Sequence, residues 1–124
     1  MEKDSEKEVL DKGSWERLGL EEIVQLANRI GLQYAAAKGL AEECALLRPS
    51  VKARVMMRLD TGNMTESKLL RLTETDSEYV DFLKKLADAK RESDKLRVRY
   101  ESYKNLFEAK RSILSYQKAE MKLV

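Results

Sequence analysis

The chain reads as an all-α protein of two long helices. Together they form a helical hairpin or coiled coil, joined by short helices at a bend and assembled into a homo-oligomer. Three observations predict this. Residues 75–122 carry one helical pattern without a Gly or a Pro. Apolar residues recur in steps of four and three in two separate stretches, the spacing of a heptad seam. Charged residues make up 37% of the chain and aromatics 6%, a balance that suits helical bundles better than a large aromatic core.

Residues 1–13 lack periodicity and are rich in acids, which predicts a flexible acidic tail ending at Gly13. The remainder, 14–124, reads as a single helical domain. It divides into a first helix region (14–47), a basic connector of short helices (48–74) and a long oligomerisation helix (75–122). Ser14 is placed to cap a turn that carries Trp15, the only tryptophan, which reads as an anchor of the tail on the bundle.

The first long helix is expected from Leu20 to Leu47. Its seam is Ile23, Ala27, Ile30, Tyr34, Ala37, Ala41 and Cys44. Gly31 and Gly39 lie beside it, and each costs about 1 kcal/mol of helix propensity. Close approach of a partner helix would offset that cost. Pro49 is expected to end the helix, because its ring disfavours a helical residue before it. Ser50 would then cap a short helix, Val51 to Leu59. Asp60-Thr-Gly-Asn63 reads as a turn, and Thr65 as the cap of a second short helix, Glu66 to Leu72.

Thr75-Asp-Ser-Glu78 reads as a capping box that opens the long helix. Its seam runs Phe82, Leu86, Ala89, Ser93, Leu96, Tyr100, Tyr103, Phe107, Lys110, Leu114, Gln117 and Met121. Ser93, Lys110 and Gln117 are polar interruptions of the kind that set register. A rod over 75–122 would be roughly 70 Å long at 1.5 Å per residue, whereas a compact monomer of this size is only about 28 Å across. The expectation is that other copies shelter the rod. Phe82, Leu86, Leu96, Tyr100, Tyr103, Phe107 and Leu114 would then form the subunit interface.

Net charge is +2, too small to imply a nucleic-acid partner by itself, but the charge is segregated. Residues 45–72 hold six basic side chains (Arg48, Lys52, Arg54, Arg58, Lys68, Arg71) against two acidic ones. Residues 73–94 hold four basic and seven acidic, and residues 95–124 eight basic and three acidic. A basic bend can neutralise phosphates, and an assembly multiplies that effect. The plainer alternative is a solvated face with ion pairs. Tyr100, Tyr103, Phe107 and Tyr116, interleaved with cations, pose the same choice between a stacking surface and a coiled-coil core.

Several chemistries are missing. The chain has no His, so imidazole chemistry and His-ligated metals are excluded. There is no glycine-rich phosphate loop, no metal-ligand spacing and no nucleophile context, so neither an enzyme nor a cofactor is expected. Cys44 is the only cysteine and lies on an apolar face, as a core residue in a reducing compartment does. With no apolar segment of membrane-spanning length and no signal peptide, the expected site of action is the cytoplasm.

The stretch Val51-Lys-Ala-Arg-Val-Met-Met-Arg-Leu-Asp-Thr-Gly62 resembles the Lys-Ala-Arg segment of the tailed-phage UvsY-type recombination mediators. In that family a glycine-containing turn, a short acidic helix and a long C-terminal helix follow. Thr65-Glu-Ser-Lys68 and Asp76-Ser-Glu-Tyr79 are similar to its helix starts. Likeness of element order extends from about residue 20 to 122, and likeness of residues is strongest from 51 to 79. The resemblance implies a ring-like homo-oligomer that binds single-stranded DNA. It also implies loading of a RecA-type recombinase on DNA coated by single-strand-binding protein, in an infected or prophage-bearing bacterial host. By position, Lys52 and Arg54 would contact the DNA backbone. Arg48, Arg58, Lys68 and Arg71 join them on charge alone. The alternative is a coiled-coil adaptor or scaffold that binds only protein.

Overall fold

The computed structural model describes residues 18–123. The expected tail, the Ser14 cap and Trp15 lie outside these residues. All regular structure among the described residues is helical: α1 (Leu20–Leu59), α2 (Glu66–Thr75) and α3 (Ser77–Leu123). The described residues form two compact units, one made of the chain up to Gly31 with the chain from Val98 onward and the other of Leu32–Arg97. The long helices α1 and α3 each contribute to both.

In the first unit α1 and α3 run antiparallel. Lys110 Nζ donates to the carbonyl of Leu18, while Gly31, further along α1, meets the earlier residue Tyr100. Ile23, Ile30 and Tyr103 are its buried apolar side chains. At Gly31 a Cβ would stand 3.1 Å from Tyr100 Cε1, so the absence of a side chain is what admits the ring. Gly39 differs: nothing lies within 4 Å of its notional Cβ. The close approach expected at both glycines occurs within the chain at Gly31 alone.

The second unit packs α1 from Leu32 onward against α2 and the first part of α3, again antiparallel. Arg48 pairs with Tyr79 and, ten residues later, Arg58 pairs with Asp76. Ala41, Val55, Tyr79, Leu86 and Leu96 form its apolar core, with Thr73 and Ser93 buried beside them. The Thr73 hydroxyl donates to the Leu69 carbonyl at 2.8 Å, which satisfies it without a tertiary partner.

Three boundaries correct the reading of the sequence. First, α1 does not stop at Leu47; it continues through Pro49 for a total of 40 residues. Proline in a helix interior costs about 3 kcal/mol, through a missing N–H bond and a ring clash with the preceding turn. Pro49 is exposed, so water can solvate the carbonyl left without its donor. Beyond it, fully buried Val55 and half-buried Val51 and Leu59 continue the apolar seam from Cys44. Tertiary burial outweighs the local penalty, and the separate helix expected at 51–59 is the end of α1.

Second, α2 extends to Thr75. Its start is as expected, with the Thr65 hydroxyl oxygen accepting from the Lys68 N–H at 3.3 Å. Third, the cap of α3 is Asp76, not Thr75. Asp76 is extended (φ −66, ψ 137), and its Oδ2 accepts from the Glu78 N–H at 3.0 Å. Thr75 is still helical, and its hydroxyl donates back to the Arg71 carbonyl at 2.9 Å. The turn between α1 and α2 is as read: Gly62 has φ +85, and its N–H donates to Asp60 Oδ1 at 2.9 Å. That Asx turn uses the left-handed conformation glycine adopts without steric cost.

The long rod is real, with 47 residues in α3. As far as Lys110 much of its apolar stripe is already covered within the chain. Leu86, Leu96 and Tyr103 are covered by their own chain, at 5%, 7% and 1% exposure. Phe82, Tyr100 and Phe107 are half-buried, and only Leu114 of the expected interface is open. Residues 111–122 are exposed throughout.

Candidate nucleic-acid interface

The basic connector is built by α1 after Pro49 and by α2 on the far side of the Gly62 turn. In sequence it is a cationic stretch followed by an acidic one. In the folded unit the two meet. Arg54 Nη2 and Nε both donate to Glu78 Oε1, at 2.7 and 3.0 Å. Arg58 Nη2 lies 2.6 Å from Asp76 Oδ2 and 3.5 Å from Glu78 Oε2. Lys52 Nζ is 3.9 Å from Glu74 Oε1, and Arg48 Nε donates to the Tyr79 hydroxyl at 3.2 Å. Four of the six expected DNA-contacting cations are therefore engaged with the start of α3 and the end of α2.

Asp76 and Glu78 are expected from the sequence only as part of a helix start, and none of Glu74, Asp76 and Glu78 is expected as a partner of these cations. A run of acids does stand in the sequence at the end of α2 and the start of α3, but which cations it meets depends on the antiparallel return. Carboxylates at the N-terminus of α3 also complement its dipole, so Asp76 and Glu78 serve the helix and the clasp together. Lys68 and Arg71 stand apart. Both are exposed on α2, and among the described residues neither has an acidic partner.

The Arg58 guanidinium, hydrogen-bonded to Asp76, holds that carboxyl below the usual carboxylate range, and the Glu78 N–H adds to the effect against partial desolvation. The Arg58 pKa is raised in return, chiefly by its bond to Asp76. A depressed folded-state pKa contributes stability above the unfolded value, about 3.9 for Asp. That contribution fades as pH falls through the lowered value. Asp76→Asn is expected to remove it, so the variant should lose less stability than the parent chain between pH 7 and pH 3. Urea unfolding at the two pH values checks this. Equal losses would mean the clasp does not titrate.

The aromatic–cationic stretch of α3 divides between the two possibilities. Tyr103 is core, whereas Tyr100 is half-buried against Gly31 with Lys104 Nζ 5.2 Å from its ring centroid. Tyr116 is 66% exposed, on the open end of α3. Cys44 is a free, half-buried cysteine. Among the described residues no group of His, Cys, Asp or Glu is arranged to hold a metal, and no helix is long and apolar enough to cross a membrane. Compared with protein families, curated proteins and solved structures, the chain has no significant match.

Proposed function

We propose that the chain is a non-enzymatic recombination mediator that binds single-stranded DNA. It would help load a RecA-type recombinase on DNA coated by single-strand-binding protein. Two supports combine. The resemblance over residues 51–79 falls entirely within one compact unit, in the expected order of helix, glycine turn and helix start. The carrying observation is the cationic surface around that turn. Among the described residues Lys68 and Arg71 are exposed without acidic partners, and the Arg54 and Arg58 side chains remain 67% and 50% exposed despite their ion pairs.

Each phosphate contact at such a surface is weak and depends on counterion release. Assembly of several copies would repeat it along a strand and raise the overall affinity. Such binding is indifferent to sequence and steeply sensitive to salt. Lys68 and Arg71 are the leading phosphate contacts. Lys52, Arg54 and Arg58 contribute only as far as phosphate competes with their carboxylates.

One observation favours the second reading, a helical adaptor that binds protein alone. Glu74, Asp76 and Glu78 already neutralise much of the connector. Fluorescence polarisation with a labelled single-stranded oligonucleotide at two salt concentrations separates the readings. The unchanged chain is expected to bind with a negative salt slope. Lys68→Glu with Arg71→Glu is expected to weaken binding at least about tenfold and to flatten the slope by roughly 0.7 for each phosphate no longer neutralised. Absence of binding at low salt, or an unaltered affinity in the double variant, selects the adaptor.

A further inference from the structure

In the second unit α1 carries apolar residues on two opposite sides. The inner seam, through Ala37, Ala41, Cys44 and Val55, is buried or half-buried. A second set steps along the outer side in the same four-three rhythm, and every member is exposed. Its large side chains are the most open apolar groups of the unit: Leu32 at 75%, Leu46 at 80% and Met57 at 81%. Between them, apart from Glu43, the outer side is made of small residues, including Gly39, where an added Cβ would meet nothing within 4 Å. A helix interior gives up about 1 kcal/mol of propensity at each glycine.

We infer that this outer side of α1 is a self-association surface and that its occupant is the same side of a second copy, packed antiparallel about a two-fold axis between Leu46 and Ser50. The spacing permits that occupant, and the placement of large, small and charged residues along it favours it. From Gly39 to Met57 the steps are four, three, four, three, four, which read the same in both directions. Turned about the axis, each member falls level with another member of the seam. Leu46 faces Ser50, Glu43 faces Ala53, and Met57 faces Gly39. Within that stretch each large side chain therefore meets a small one, the alternation that lets two helices interdigitate, while Leu32 lies beyond the paired stretch.

Charge agrees with shape. Glu43, the one acid within the paired stretch of the seam, comes level with Ala53 and the neighbouring Arg54 of the second copy. The two bonds from Arg54 to Glu78 use Nε and Nη2, which leaves Nη1 for that acid. The symmetry is isologous and closed, so the surface makes a dimer and not an open chain. The paired stretch is short, so association no tighter than the micromolar range is expected. This inference is independent of the DNA reading.

Sedimentation equilibrium of the full chain without DNA, across the micromolar range, tests it. A reversible monomer–dimer equilibrium is expected. Leu46→Asp and Met57→Asp should each weaken it at least about tenfold, an effect of about 1.4 kcal/mol or more. Gly39→Leu is the sharper variant, because its two effects have opposite signs. It should raise the melting temperature of the monomer, since a Cβ there meets nothing within 4 Å and leucine is the better helix former, yet weaken the dimer by filling the space for Met57. Leu114→Asp, on the open end of α3, should leave the equilibrium unchanged, as should Lys68→Glu with Arg71→Glu. A chain that stays monomeric, or a Gly39→Leu variant that dimerises like the parent, overturns the inference. So does a dimer abolished only by Leu114→Asp.

Discussion

Tyr79→Ala is expected to lower the free energy of unfolding by about 3–5 kcal/mol, the range for deleting a buried aromatic ring. Tyr79 is 2% exposed and sits in the first turn of α3, next to Glu78 of the clasp and three residues after the Asp76 cap. Its ring fills the second unit, and its hydroxyl accepts from Arg48 Nε at 3.2 Å. Truncation thus leaves a cavity and removes the acceptor of an arginine. Tyr79→Phe isolates the second effect and should cost only about 0.5–1.5 kcal/mol, the net value of an ordinary hydrogen bond. Urea unfolding followed by circular dichroism measures both. A loss below about 1 kcal/mol for Tyr79→Ala, far under the usual cost of such a cavity, would mean that the unit collapses around the missing ring. The α2 helix, the Gly62 turn and the clasp would then hold it without an aromatic core.

Much of this architecture is legible because helical seams are periodic. Ile23, Ala27, Ile30, Tyr34, Ala37, Ala41 and Cys44 are all buried or half-buried, as their spacing predicts, and the α3 seam is equally faithful from Phe82 to Lys110. The turn at Gly62 and the cap at Thr65 are readable because they rest on local hydrogen bonds that few residue types can make. Where sequence reasoning fails, local and distant effects compete. Pro49 carries a strong local penalty, and only the burial of Val55 and the pairing of Arg54 and Arg58 across the unit outweigh it. A linear reading has no measure of either.

The candidate site is legible in composition but not in geometry. Six cations in one connector stand out in the sequence. That Glu74, Asp76 and Glu78 fold back against Lys52, Arg54 and Arg58 depends on the antiparallel return, and sequence distance alone does not fix which side chains meet. The Lys-Ala-Arg stretch consequently has a structural task whatever it binds: Lys52 and Arg54 tie α1 to the end of α2 and the start of α3. Their replacement would change fold stability and ligand binding together, so Lys68 and Arg71, which lack that task, are the informative positions for a DNA experiment.

The two glycines of α1 separate a packing role from an open one, and Gly31 carries the second large effect. Both look alike in sequence, each beside a seam of small residues. At Gly31 the Tyr100 ring lies 3.1, 3.4 and 3.5 Å from where a Cβ would stand. Gly31→Ala sets about 1 kcal/mol of helix propensity against a contact that requires the ring to move a few tenths of an ångström, so a small net change is expected. Gly31→Leu has no such balance. The added carbons must displace Tyr100 and disturb Ile30 and Tyr103 in the same unit, and overpacking of this kind costs about 1–3 kcal/mol. Tyr100→Ala should recover much of that loss in the double variant, because it vacates the space the leucine needs. A cycle of the two single variants and the double, by thermal or urea unfolding, gives the coupling directly. Additive losses would show that Gly31 and Tyr100 do not share a contact. A strong favourable coupling would establish that this glycine sets the closeness of α1 and α3 in the first unit.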